Sequence, residues 1–261
     1  LKTLDVDSTA LGFSGGFPGD FIAQTLEDSN IQSDFVQVDE DTRINVKLKS
    51  GQETEINAPG PKVTHAQFEQ LLSQIRRTTN DDIVIVAGSV PNSIPSDAYA
   101  QIAQITEKTG AQLVVDAEKD LVETVLPYRP LFIKPNKDEL EVMFNTTVKS
   151  DEDVIKYGKE ILKKGAQSVI ISLGGDGAIY VDQHQSIKAV NPQGHVVNTV
   201  GSGDSTVAGM VAGLSMGLNI DEAFQQAVAS GTATAFSEDL ATRDAIENIK
   251  SQVTISVLDG E

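Results

Sequence analysis

From Asp82 onward, short apolar runs rich in Val and Ile alternate with longer amphipathic runs, and this rhythm constrains the fold more than any other feature of the chain. The short runs are Ile83–Ala87 (IVIVA), Gln112–Asp116 (QLVVD), Leu131–Lys134 (LFIK) and Ser168–Ser172 (SVIIS). Near-continuous apolar runs of this length are expected of strands covered on both faces. Their alternation with helical segments predicts βα units joined in a mostly parallel sheet, an α/β architecture. Ser96 is positioned to cap a helix over Asp97–Thr109 that stops at Gly110. Ser150 is positioned to cap Asp151–Lys164, with acids in the first turn, Lys163 and Lys164 in the last, and Gly165 behind. In such sheets crossovers are right-handed and ligands sit outside the carboxyl ends of the strands, so chemistry is expected just after strands.

One segment breaks the rhythm. Phe35–Val38, Thr42–Lys49 and Glu53–Asn57 alternate apolar and polar residues, with turn signals at Asp39–Asp41 and Ser50–Gly51. They predict a small antiparallel meander, a lid inserted at about residues 35–60 of a domain spanning 1–261. Ala58–Pro61 (APGP), the marked Pro/Gly joint, reads as a hinge or as a rigid turn between lid and core.

Charge and composition narrow the function. The 261 residues carry 20 Lys+Arg against 38 Asp+Glu, a formal charge of −18, which disfavours nucleic acid as a partner because phosphate backbones are bound by Lys/Arg neutralisation. With no cysteine there is no disulfide framework, thiolate metal site or cysteine nucleophile. No apolar run has the length of a membrane span and no signal-type segment opens the chain, so it reads as cytoplasmic. Neither a P-loop nor a G-x-G-x-x-G fingerprint is present, and His65, His184 and His195 lack zinc-hydrolase spacing.

Three segments carry candidate chemistry. In Asn198–Gly213 (NTVGSGDSTVAGMVAG), Gly201, Ser202 and Gly203 precede a helical run of small and apolar residues, so a flexible loop delivers backbone N–H groups at a helix N-terminus, an anion site. Asp204 falls in the first turn facing that anion, which suits a general base for a hydroxyl nucleophile; an ordinary dipole-favoured helix acid is the alternative. In Ser172–Gly177 (SLGGDG), Gly174, Gly175 and Gly177 around Asp176 permit close backbone approach to a ligand such as a nucleotide; a plain turn is the alternative. In Lys134–Leu140 (KPNKDEL), Asn136 and Glu139 stand three apart, so both share a helix face at a strand's end, suited to a hydrated Mg2+ and its phosphates; a helix cap is the alternative.

Taken jointly and in this order, KPNKDEL, SLGGDGA and NTVGSGDSTVAG resemble the ribokinase-like (PfkB) sugar kinases. LGFSGGFPGDFI, TRINVKL, ETEINAPGP and FSEDLATRDAI are similar to the 1-phosphofructokinase branch, with tagatose-6-phosphate kinases as the nearest look-alikes. The resemblance implies a three-layer fold with a small β lid. It further implies ATP and Mg2+, and phosphorylation of D-fructose 1-phosphate to D-fructose 1,6-bisphosphate. It assigns Asp204 as catalytic base, Gly201, Ser202 and Gly203 as the anion hole, and Asn136 and Glu139 as organisers of Mg2+ and phosphate through water. Ser172 to Gly177 border the nucleotide, Arg43 contacts the sugar's phosphate, and Ser89 in AGSVP lies near the substrate.

Departures are expected to matter. The chain begins past the family's opening strand, which bears a substrate-binding aspartate, and past its GGKGxN segment, so the resemblance implies that part of the lid and a central strand are lacking and that sugar binds poorly. Asn198 stands where many relatives carry aspartate in D-T-x-G-x-G-D, which leaves their monovalent-cation site in doubt. A tagatose-6-phosphate kinase and a non-catalytic nucleotide- or sugar-phosphate-binding protein on the same scaffold are the competing readings. An intact GSGD with its Asp204 favours catalysis. The open strand edges of the lid point to a homodimer joined through it.

Overall fold

The computed structural model describes residues 1–50 and 52–260. The chain opens with β1 (Thr9–Ser14), α1 (Gly16–Asp28), β2 (Gln32–Gln37), β3 (Asn45–Ser50), β4 (Gln52–Asn57) and α2 (His65–Ile75). The βα rhythm follows as β5 (Ile83–Ala87), α3 (Ala98–Thr109), β6 (Gln112–Asp116), α4 (Lys119–Val125), β7 (Phe132–Ile133), α5 (Lys137–Phe144), α6 (Asp151–Lys164) and β8 (Val169–Ser172). It ends with β9 (Ala178–Val181), β10 (Gln185–Val190), α7 (Ser202–Ser215), α8 (Ile220–Ala235), α9 (Arg243–Lys250) and β11 (Thr254–Gly260).

Among the described residues the main sheet has the order β11-β10-β9-β8-β7-β6-β5. The predicted parallel pairing runs from β5 to β8. Beyond it β9, β10 and β11 are antiparallel. The β9–β10 hairpin closes on Asp182, whose Oδ1 accepts from the amides of His184 and Gln185 at 2.7 and 2.8 Å. Side chains alternate strictly across the sheet. Val115, Ile133 and Ile171 join the core beneath α2 to α6, while Val114, Phe132 and Ile170 join the one beneath α7 to α9. Helices on both faces make this the expected three-layer α/β arrangement.

Local signals place most boundaries. α6 starts at Ser150, which accepts from the Asp153 amide at 3.3 Å, and stops at Gly165, where φ is 133° and a Cβ would collide with the Leu126 carbonyl. α3 begins one residue later than the sequence predicts, with Asp97 rather than Ser96 at its N-cap. β7 is shorter than Leu131–Lys134, since prolines flank it, yet Leu131 N–H and Lys134 N–H still donate to Leu113 and Val115 carbonyls.

The predicted meander needs one correction. Phe35–Val38 is not a lid strand: Phe35 and Val36 lie in β2, parallel to β1 in the register Gly12↔Phe35 and Phe13↔Val36. Val36 and Val38 are buried in the core under α2, and Val38 N–H donates to Ser14 O at 2.9 Å. The Asp39–Asp41 turn therefore leads back to the end of β1, where Gly15 and Thr42 exchange hydrogen bonds. The antiparallel hairpin is β3–β4 alone, and the predicted turn residue Gly51 lies outside the described residues.

The two sheets do not join. Asp82 O and Gly88 N–H bond to β6, so even-numbered residues of β5 face β6, and the N–H and C=O of Ile83, Ile85 and Ala87 point outward. No described strand pairs with that edge. Between it and β1 lies a cavity of about 1010 Å³, lined by Leu11, Phe13, Val84 and Val86 and, toward the strand ends, by Arg43 and Ser89.

Candidate active site

Both buried ends of the parallel strands carry charge. Asp116 is the last residue of β6 and Lys134 follows β7; parallel register sets them side by side, with Lys134 Nζ 3.2 Å from Asp116 Oδ1. The Lys134 side chain is only 7% exposed, so the pair is largely shut off from water. Burial pushes the Asp116 carboxyl above its ordinary range, the Lys134 ammonium pulls it back, and the charges of Asp204 and Glu139 push it up again. Asp116 thus feels the charges of two further carboxylates besides one ammonium, an excess of negative charge at the carboxyl end of the sheet.

The N-terminus of α7 completes this end. Gly201, at its N-cap, has φ 78° and supplies no side-chain cap. Ser202 N–H turns back to Thr199 O and Ser205 N–H closes the helix on Gly201 O, which leaves the amides of Gly203 and Asp204 without a partner among the described residues. Unpaired N–H groups at the start of a helix this long form an anion site. A Cβ on Gly203 would stand 3.3 Å from Lys134 Nζ, so the ammonium lies directly beneath the first turn and adds positive charge there. Asp204 is exposed at the mouth of this turn.

Asn136 and Glu139 form a reciprocal capping box at the start of α5. Asn136 Oδ1 accepts from Glu139 N–H at 2.8 Å, and Glu139 Oε2 accepts from Asn136 N–H at 2.7 Å. The helix-cap alternative is the one observed: the cap fixes the Glu139 carboxylate at the strand end, and its Oε1 has no partner among the described residues. Ser172 lies beside it, its N–H donating to Pro135 O at 3.1 Å. After Ser172 the chain makes one short turn over Gly174–Asp176. Gly177 there is obligatory, since φ is 94° and a Cβ would collide with Ala189 O, whereas Cβ atoms on Gly174 or Gly175 would meet open space.

A divalent cation fits this donor set in one manner. Among the described residues no three His, Cys, Asp or Glu side chains converge to cage a metal. Glu139, Asp116 and Asp204 instead border one negatively charged mouth, which suits a hydrated ion carrying phosphate oxygens in its inner shell.

The structure thus gathers Asn136, Glu139, Ser172, Gly203 and Asp204 at one end of the sheet. Arg43 and Ser89 line the cavity between β1 and β5, and Asp204 is not among its lining residues. Tyr99 of α3 links the two: it lines the cavity, and burial, helped by the charge of Asp116, pushes its phenol up to about 12. Asp116, Lys134 and Tyr99 were not singled out by the sequence reading. The available signal was a charged residue terminating an otherwise apolar strand, in QLVVD and in LFIK.

Comparison with known proteins shows what the chain is similar to as a whole. The family model for pfkB family carbohydrate kinases matches residues 1–245. The chain is 42% identical over 258 residues to 1-phosphofructokinase of Bacillus subtilis, covering 99% of this chain and 85% of that protein. It is 37% identical over 259 residues to D-tagatose-1-phosphate kinase of Bacillus licheniformis, covering 99% and 85%. A crystal structure from Staphylococcus aureus, described provisionally as a phosphofructokinase, superposes with a TM-score of 0.92 at 80% identity, covering 100% of this chain and 85% of that one.

Proposed function

The chain belongs to the pfkB family of carbohydrate kinases, and from that premise we propose that it transfers the γ-phosphoryl group of ATP to a hydroxyl of a ketohexose phosphate, D-fructose 1-phosphate foremost, giving D-fructose 1,6-bisphosphate and ADP. The observation that carries the reading is the unpartnered start of α7, with Asp204 in its first turn and the Lys134 ammonium beneath it. Phosphoryl transfer asks mainly for positioning and for neutralisation of charge on the group in flight. The turn formed by Gly201, Ser202 and Gly203 holds the transferring phosphoryl oxygens, and the buried Lys134 charge strengthens that hold. Asp204 accepts the proton of the attacking hydroxyl. A pure binding module would gain nothing from a carboxylate facing bound anionic oxygens, which favours catalysis over the non-catalytic reading.

The turn from Ser172 to Gly177 borders the nucleotide. Mg2+, when bound, supplies charge neutralisation between the phosphates, with Asn136 and Glu139 holding it through water. Arg43 grips the sugar's own phosphate with its guanidinium fork and Ser89 meets the sugar. A second reading, a tagatose phosphate kinase, draws support from the Bacillus licheniformis relative. The apolar side chains exposed on β3–β4 and before it, Ile44, Val46 and Ile56, favour a homodimer joined there. No helix among the described residues is long and apolar enough to cross a membrane, in keeping with a cytoplasmic enzyme.

A coupled ADP-release assay with Mg·ATP tests the reading, with fructose 1-phosphate, tagatose 1-phosphate, fructose 6-phosphate and tagatose 6-phosphate offered in parallel. Fastest turnover on fructose 1-phosphate is expected, and fastest turnover on a tagatose phosphate would establish the second reading. Silence on all four with ATP still bound would sink catalysis and leave the binding protein.

A further inference from the structure

The loop that carries Ser89 leaves β5 through Gly88, a residue with φ 85° whose missing side chain would meet no neighbour. Glycine at a strand exit gives the chain wide conformational freedom, so something else must aim the residue that follows. Gly88 is held at both of its polar groups. Its N–H donates to the backbone carbonyl of Asp116 at 3.3 Å, and its C=O accepts from the Tyr99 hydroxyl at 2.7 Å. Further along, Ser93 Oγ accepts from Val63 N–H at 2.8 Å and Ile94 N–H donates to Pro91 O, tying down the far end of the loop. Ser89 itself has no hydrogen bond within the described residues, so its direction is set by its neighbours.

We infer that Tyr99 is a positioning residue for the sugar end of the site: its hydroxyl fixes the Gly88–Ser89 peptide plane and thereby aims Ser89 into the cavity that Arg43 also lines. The reasoning is covalent. Peptide groups are planar, so pinning the Gly88 oxygen fixes the plane from which the Ser89 Cα and side chain project. The Tyr99 ring is buried on α3, a stable platform, while Gly88 and Ser89 are exposed. Burial, with help from Asp116, pushes the Tyr99 phenol up to about 12, so it remains a hydrogen-bond donor throughout the neutral range. A carbonyl on an exposed segment can take water when the phenol is removed, so the loss falls on the aim of the loop more than on the stability of the fold.

This inference rests on the proposed sugar kinase reading, and its test separates the two. In the ADP-release assay Tyr99→Phe, which keeps the ring and removes the hydroxyl, is expected to raise KM for the sugar phosphate roughly 3- to 10-fold, the range set by one hydrogen bond, with KM for ATP within about twofold. Its melting temperature should stay within about 3 °C of the parent. Ser89→Ala should raise the same KM, and the double variant should be no worse than Ser89→Ala, because Tyr99 acts through Ser89. Additive effects, or an unchanged sugar KM in Tyr99→Phe, would overturn the inference. Amide hydrogen exchange gives a readout independent of turnover: the Gly88 amide, held to Asp116 O in the parent, should exchange faster in Tyr99→Phe. Unchanged exchange there would also overturn it, whereas a parent chain silent on every sugar would overturn the kinase reading and leave the exchange result to decide the role of Tyr99.

Discussion

The half of the molecule built on β7, β8, α7 and α8 is closed, and the half built on β1, β2, α1 and β5 is open. In the closed half Phe132, Ile133, Val169 and Ile170 are inaccessible to solvent, and Gly209 and Gly213 of α7 let it approach Ala227 and Ala223 of α8 so closely that a Cβ at either glycine would lie 2.8 Å from the facing backbone. In the open half, Val84, Ile85 and Val86 are only half-buried although their neighbours Leu113, Val114 and Val115 in β6 are buried, and Phe17 and Phe21 on α1 are 69% and 72% exposed. Besides the β1–β2 pairing and the burial of Val36 and Val38 under α2, polar ties fasten the open half: Gly15 with Thr42, Gln74 Nε2 to Asp34 O, Val63 to Ser93, and Tyr99 to Gly88. The residues proposed for phosphoryl transfer sit on the closed half and those proposed for the sugar on the open one. The closed half thus owes its burial to strands covered on both faces, whereas the β5 edge, which no described strand pairs with, leaves its side chains half-buried.

The largest expected effect divides the halves kinetically. Asp204→Ala removes the proposed base from the closed half and should lower kcat by about 10²- to 10⁴-fold, with nucleotide affinity within a few-fold. Arg43→Ala in the open half should raise KM for the sugar phosphate about tenfold or more with ATP little affected, since charge-assisted hydrogen bonds are lost. If Arg43→Ala instead lowered kcat at unchanged KM, the division of labour between the halves would fall.

Stability should divide in the same way. Phe224, on α8, is fully buried and packs on Tyr180 with ring centroids 5.8 Å apart, so Phe224→Ala should cost about 3–5 kcal/mol in chemical denaturation. Val84, on β5, is only half-buried beside the cavity, and Val84→Ala should cost about 1 kcal/mol. Equal costs would mean that the cavity beside β5 is closed in solution.

What the sequence made legible follows the same boundary. Strands β5, β6, β7 and β8 could be read because strands covered on both faces need apolar residues at nearly every position, and α6 because its cap, acidic start and glycine stop are local signals. The pairing of Phe35–Val38 could not, because alternation marks a strand with unequal faces and says nothing about which neighbour it takes; burial of Val36 and Val38 under α2 decided it. Near the candidate site, the helix starts at GSGD and N-x-x-E were legible because a helix start writes its capping needs into consecutive residues. Asp116 and Lys134 were not, since only the parallel register of β6 and β7 brings two distant strand ends together. Tyr99 looked like any aromatic on the buried face of a helix, sharing that face with Ile102 and Ala103.

The smallest effect concerns the charge buried in the closed half. The Asp116 carboxyl is raised above its ordinary value of 3.8, with burial the leading cause and Lys134 opposing it. A carboxyl raised in the folded state favours folding only while it is protonated. Its contribution is complete below 3.8 and is lost as pH climbs through the raised folded value. Relative to Asp116→Asn, which cannot ionise, the parent chain should therefore lose stability as pH rises from about 3.5 toward neutrality, measured by urea denaturation of both across that range. The attraction to Lys134, which the variant also loses, is among the causes that set the folded Asp116 value and so enters this slope in opposition to burial. A difference that grew with pH would mean that attraction to Lys134 outweighs burial, and that the closed half is steadied by the charges at its site; a difference that shrinks means the fold holds Asp116 there against its own stability, as expected of a carboxylate kept for the phosphoryl-transfer site.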